Sequence, residues 1–130
     1  MMKQSRGFTV IELLIVIVLL GTATIIFFAQ KNGIETGARD NERKVAINAM
    51  YYSLEEVFYA KNGYYPATLD ATTLPSIDPD LFIDPSNNRI GESASTYRYE
   101  PTNCVDNKCA GYTIRTTLEN EADFVKNSRH

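Results

Sequence analysis

The 130-residue sequence predicts an α+β fold, in which one long N-terminal helix packs on a small antiparallel sheet. Three observations lead there. Phe8 to Ala29 is an apolar run of 22 residues whose single charge is Glu12. From Ala38 to Lys61 the apolar residues Ile47, Met50, Tyr51, Leu54, Val57 and Phe58 recur at spacings of three and four, the period of an amphipathic helix. Two later segments, Ser95 to Pro101 and Gly111 to Leu118, alternate side to side as strands with one buried face do.

Each element follows in chain order. The opening MMKQSRG is a short basic leader ending in Gly7. The apolar run after it is long enough to cross a bilayer as a helix. A carboxylate inside such a segment costs about 2–3 kcal/mol or more, which marks Glu12 as functional. A secretory signal carries a shorter apolar core of about 7–15 residues followed by a small-residue cleavage site. Here the small residue, Gly7, precedes the run, so cutting there removes the leader and leaves the apolar helix on the mature chain. Lys3 and Arg6 keep the N-terminus cytoplasmic and send the remainder out.

Gln30 to Gly37 is polar and glycine-spotted, and it reads as a soft joint before the amphipathic half. Arg43, Lys44, Asn48, Glu55 and Glu56 fall largely off the apolar stripe, on the solvent side. Asn62-Gly63 with Pro66 beyond it is a helix stop. A helix from Phe8 to Lys61 spans roughly 80 Å. The chain therefore divides into 1–7 (leader), 8–30 (apolar helix), 31–63 (amphipathic helix), 64–94 (connecting loop) and 95–130 (strands and tail).

The connecting loop is interrupted by Pro75, Pro79 and Pro85. Asp78, Asp80 and Asp84 with Asn87 and Asn88 form an oxygen-rich group, open to two readings. They are turn formers, or they are ligands for calcium, which takes six to eight oxygens; EF-hand spacing is missing. In the first strand Tyr97 and Tyr99 oppose Arg98, and in the second Tyr112, Ile114, Thr116 and Leu118 oppose Thr113, Arg115 and Thr117. A nine-residue connection joins them and holds Cys104 and Cys109. An exported domain favours a disulfide between these two, worth about 2 kcal/mol for so small a loop; free thiols are the alternative where the source lacks an oxidising pathway. Glu119 to Asp123 and the polar finish to His130 pack as an edge segment or hang free.

Net charge is −3 from 13 basic and 16 acidic side chains. Without Lys3 and Arg6 the balance is 11 against 16, so no basic patch for a phosphate backbone is present. Six aromatics fall between Tyr51 and Tyr65; without basic neighbours they read as core packing instead of a stacking platform. The single histidine is His130, no glycine-rich phosphate loop occurs, and no nucleophile–base arrangement is visible. An enzyme is not expected, nor a cofactor.

Gly7-Phe8-Thr9-Val10-Ile11-Glu12-Leu13-Leu14 resembles the processing motif of type IV pilins and their pseudopilin relatives at every signature position. The resemblance is strong over about 25 residues and architectural beyond, and it implies a pilin fold. It also implies that a prepilin peptidase cuts between Gly7 and Phe8 and methylates the Phe8 amine. Cleavage sets that amine one helical turn from Glu12 on the same face, and in apolar surroundings the two charges compensate each other, within a chain or between neighbours. The partners implied are further copies in a helical filament, an inner-membrane assembly platform and pilus ATPases. The precursor would sit in the cytoplasmic membrane and the assembled subunit at the cell surface, serving motility, adhesion or DNA uptake.

Three alternatives share these features: a pseudopilin of type II secretion, a DNA-binding minor competence pilin with Arg89, Arg98, Lys108 and Arg115 as its basic strip, and a monomeric membrane-anchored domain. Major pseudopilins are known for a calcium loop, but the tryptophan-glycine pair that often follows their Asp-Pro is not found after Asp84-Pro85. Many type IV pilins also carry a proline within the apolar helix; here none precedes Pro66, leaving Gly21, Gly33 and Gly37 as the weak points.

Overall fold

A computed structural model describes residues 7–130. Lys3, Arg6 and the rest of the leader before Gly7 lie outside the described residues. The chain forms two compact units, one ending at Glu35 and the other comprising Thr36–His130. The architecture is α+β, a long N-terminal helix with a small antiparallel sheet.

Helix α1 runs Val10–Tyr52 without interruption. The expected soft joint at Gln30 to Gly37 is therefore helical. Each glycine there costs about 1 kcal/mol relative to alanine, too little to break a helix held by good formers on both sides, and Lys31 and Glu35 pair at i,i+4 (3.7 Å) across it. Asn32 and Gly33 also take part in interactions there.

After Tyr52 the backbone widens to a seven-residue π-helical turn, Ser53–Tyr59, and returns to α geometry as α2, Ala60–Asn62. A π turn takes up an extra residue and slips the side-chain phase. Hence Ala46, Ile47, Met50 and Leu54 are buried as the periodicity requires, while Val57, assigned to the same stripe, is half exposed and Glu55, assigned to solvent, is buried. Gly63 ends the helix at φ +74°, where a residue without Cβ is unstrained. Its N–H donates to the Tyr59 carbonyl at 2.8 Å.

Strand β1 is Tyr65–Pro66, β2 is Tyr97–Val105, β3 is Lys108–Thr116 and β4 is Phe124–Asn127. The central strand is β3, with β2 along one side and β1 and β4 sharing the other, all antiparallel. The nine-residue connection expected between β2 and β3 is instead two residues long. Asp106 and Asn107 take φ of +51° and +62°, a turn with positive φ at both central positions, which suits the right-handed strand twist. Pro101 stays within β2 because β2 is an edge strand and its missing N–H costs no ladder bond. Asn103, at φ +52°, interrupts the pairing between Thr102↔Gly111 and Cys104↔Cys109, so this edge is poorly suited to adding a strand. The 119–130 tail, left open by the sequence, supplies β4, with Thr116↔Phe124 at its start and Thr113↔Asn127 at its end.

The core lies in Thr36–His130. Helix residues Ala46, Ile47, Met50 and Leu54 meet Tyr97, Cys109, Tyr112 and Ile114 from the sheet. Leu69, Leu74, Phe82 and Ile90 close it from the connecting segment, which is far from featureless. Pro79–Phe82 forms a 3₁₀ turn capped by Asp78, whose carboxylate accepts from the Asp80 N–H at 3.0 Å. Burying each such apolar side chain contributes about 1.5–3 kcal/mol.

Candidate functional site

The apolar end of α1 is built from Leu, Ile, Val and Phe. Among the described residues, every large apolar side chain from Phe8 to Ile34 is exposed, from 41% for Val16 to 78% for Phe8 and Val10. Exposure of this extent along a helix marks a surface meant for lipid or for other protein. By length and composition α1 can cross a membrane. Thr9 starts the helix: its carbonyl accepts from the N–H groups of Glu12 and Leu13, both at 3.1 Å. Its hydroxyl also lies 3.4 Å from the Glu12 N–H. Thr9-Val10-Ile11-Glu12 thus has the spacing of a capping box, a helix-start signal carried by the sequence itself. Glu12 sits in the first turn, where a negative charge is favoured by the helix dipole. Phe8, immediately before the cap, is the most exposed aromatic of the apolar run.

The remaining expected site residues are in the Thr36–His130 unit. Cys104 and Cys109 form a disulfide across a facing pair of β2 and β3, with Cα atoms 4.0 Å apart. Asp78, Asp80 and Asp84 do not converge. Asp84 is buried and its carboxylate is spent on its own loop. Oδ1 accepts from Ser86 and Asn88 N–H groups, each at 2.9 Å, and Oδ2 from the Thr96 N–H (2.8 Å) and hydroxyl (3.1 Å). Burial raises its pKa, and these donors more than offset that, leaving it below the usual carboxylate value. Among the described residues no three Asp, Glu, His or Cys side chains are placed to hold a metal ion.

Two of the four basic residues near the sheet are engaged by polar neighbours, and Lys108 lies with its Nζ 5.2 Å from the Tyr64 ring centroid. Arg98 donates to the Glu92 and Ser93 carbonyls at 2.9 and 2.8 Å. Arg115 pairs with Glu100 at 3.0 Å and Asp123 at 3.8 Å.

Two polar clusters fix the domain on its helix, and neither was foreseen. In the first, Arg43, assigned to the solvent face, is buried and donates to Asp40 and Glu119, each at 2.9 Å. Arg39 grips Glu119 with two bonds of 2.8 and 2.7 Å. Asp40 accepts the N–H groups of Glu119 and Asn120. The Arg39 and Arg43 guanidiniums hold the Glu119 pKa down at about 2, and the Glu119 backbone N–H leads the donors that lower Asp40.

In the second cluster, the buried Glu55 carboxylate accepts from Tyr112 Oη (2.8 Å), Tyr65 Oη (3.0 and 3.2 Å) and the Arg129 N–H (3.2 Å). Burial, then the Glu55 bond, pushes both phenols well above the ordinary tyrosine value. Arg129 also meets Tyr51 Oη (3.1 Å) and Glu56, and His130 stacks on Tyr59 with ring centroids 4.3 Å apart. The only sequence signal for this site was an acidic residue one step from the apolar stripe.

Compared with known proteins, residues 2–28 match the model of the prokaryotic N-terminal methylation motif. No match to the chain was found among curated proteins or among solved structures.

Proposed function

We propose that this chain, which carries the leader signature of type IV pilins and prepilins, is the structural subunit of a type IV pilus. Prepilin peptidase cuts between Gly7 and Phe8 and methylates the new amine, and the mature chain polymerises into a helical filament. The membrane holds the precursor with its N-terminus inside, and an assembly platform with its ATPases moves the mature chain to the surface.

The observation that carries the reading is the lone carboxylate of Glu12 within the otherwise uncharged, exposed Phe8–Ala29 run. A charge of that kind needs a compensating cation. The cationic amine of a processed Phe8 supplies it, on the same chain before assembly and on a neighbour afterwards. A contact between unlike surfaces of identical subunits propagates into an open fibre instead of closing as a ring. The apolar run then changes surroundings from lipid to sister helices with little change in polarity, so membrane and filament are alternative hosts for one surface.

The soluble unit suits the same role. Its sheet edge is blunted at Pro101 and Asn103, which favours assembly through the helix over strand addition. Its fold is stapled by a disulfide and by two polar clusters, as a domain outside the cell requires. No catalytic role is assigned to it.

The test is Glu12→Ala. Leader removal should proceed, because the peptidase acts at the Gly7–Phe8 bond, while surface fibres seen by electron microscopy of sheared material should fall sharply. Normal fibres from this variant would refute the assembly role of Glu12. A wild-type chain that is processed but yields no long fibres would move the reading to a pseudopilin of a secretion system.

A further inference from the structure

We propose that the tip of the β2–β3 hairpin, Val105 and Asp106, docks into a cleft beside the π-helical turn of a second copy of this chain. The proposal rests on reading the chain as an assembling subunit, and it names a contact made by the soluble unit. Among the described residues of Thr36–His130, Val105 is the most exposed large apolar side chain, at 71%. It sits at the end of a two-residue turn, directly behind the Cys104–Cys109 disulfide. A projection braced in this way loses little conformational freedom when it docks.

The cleft has a volume of about 370 Å³; Val57, Phe58, Leu74 and Pro75 give it an apolar wall, and serine, threonine, asparagine and lysine side chains complete its lining. Its polar floor is already satisfied, since the Ser53 and Ser76 hydroxyls bond each other at 2.8 Å. Val57 is 48% exposed beside it because the π turn rotated that residue off the core. Lys61 lines the cleft as well. Neither Lys61 nor Asp106 has an ion-pair partner among the described residues.

An exposed apolar side chain with an adjacent carboxylate thus matches, in polarity and in charge, a partly apolar cleft with an adjacent ammonium. One chain cannot satisfy both with its own parts. Pairing of Tyr65 with Cys109 and of Pro66 with Lys108 holds the hairpin in the sheet, where Val105 stays exposed. The match is consequently between copies and between unlike surfaces, the kind of contact that repeats along a fibre. So small a patch falls short of the roughly 1,000 Å² that a free-standing complex needs. It operates once the apolar helices have brought neighbours together and raised the effective concentration of one tip near the next cleft.

The experiment uses the full chain in cells, with a photoreactive benzoylphenylalanine in place of Val57. Mixed light and heavy isotope labels distinguish links between chains from links within one. The expected result is a covalent link from position 57 to the 105–107 peptide of another chain. Val105→Ser should weaken it several-fold. Lys61→Glu should weaken it roughly two- to fivefold, as for an exposed ion pair, and adding Asp106→Lys to that variant should restore it. Links to a different protein, links only within one chain, or no link in assembled fibres would overturn the proposal while leaving Glu12-driven assembly intact. If no fibres form in the wild type at all, both readings fall together.

Discussion

Replacing Glu55 with alanine should destabilise the soluble unit by about 2–4 kcal/mol. The magnitude follows from what the carboxylate holds. Removing it leaves the buried Tyr65 and Tyr112 hydroxyls without their acceptor, and frees the part-buried Arg129 N–H. Each buried donor left unsatisfied costs about 1–3 kcal/mol. Water entering the space of the lost side chain, and relief of a buried charge, bring the sum to the lower half of the range. Glu55→Gln keeps a carbonyl oxygen for Tyr112 and loses only the charged character of the bonds, so it should cost about 1–2 kcal/mol. The assay is urea unfolding of the full chain in detergent micelles, followed by near-ultraviolet circular dichroism of its eight tyrosines. Amide exchange should show the alanine variant losing protection first in Phe124–Asn127 and Ser128, the segment that Glu55 helps to seat. An alanine variant within about 0.5 kcal/mol of wild type, or a glutamine variant as damaged as the alanine one, would refute the reasoning.

Other consequences are simpler to state. Changing both Cys104 and Cys109 to serine should cost at least about 2 kcal/mol in the same unfolding assay, from the loop entropy released and the hydroxyl placed at the buried position 109, while leaving the hairpin register unchanged by amide exchange. Asp40 and Glu119 both have carboxyl pKa values lower in the folded chain than their ordinary 3.8 and 4.5. Their contribution is therefore complete above about pH 4.5 and is lost as pH falls toward 2. An acid titration of the unfolding midpoint should decline across that window, and Glu119→Gln should flatten the decline. A bulky residue at Gly7 should leave the leader attached, visible as an unshifted mass of the membrane-bound chain.

The fold class was legible because its signals are local and periodic. Ile47, Met50 and Leu54 repeat at helical spacing, and Tyr112, Ile114 and Thr116 alternate, so each element declares its buried face. Gly63 was legible as a stop because only a residue without Cβ takes that backbone conformation cheaply. What escaped depends on geometry that no short window contains. The π turn inserts a phase slip after Tyr52, and periodicity cannot register a slip that tertiary bonds to Glu55 help hold. Those bonds come from Tyr65, Tyr112 and Arg129, spread over the whole domain.

The two-residue turn at Asp106-Asn107 was hidden by the cysteines and by Pro101, which looked like a strand end and proves to be an edge position. Leu69, Leu74, Phe82 and Ile90 lie in irregular chain, where burial has no period. At the N-terminus the balance is reversed. Gly7, Phe8 and Glu12 belong to a linear motif, so they stand out in a short window without any fold at all.

The most direct measurement is the mass of the N-terminal peptide of chains recovered from sheared surface fibres. The expected peptide begins at Phe8 and carries one added methyl group on its amine. Fibres whose chains still begin with MMKQSRG would contradict that expectation, because the cation meant for Glu12 would never have been made.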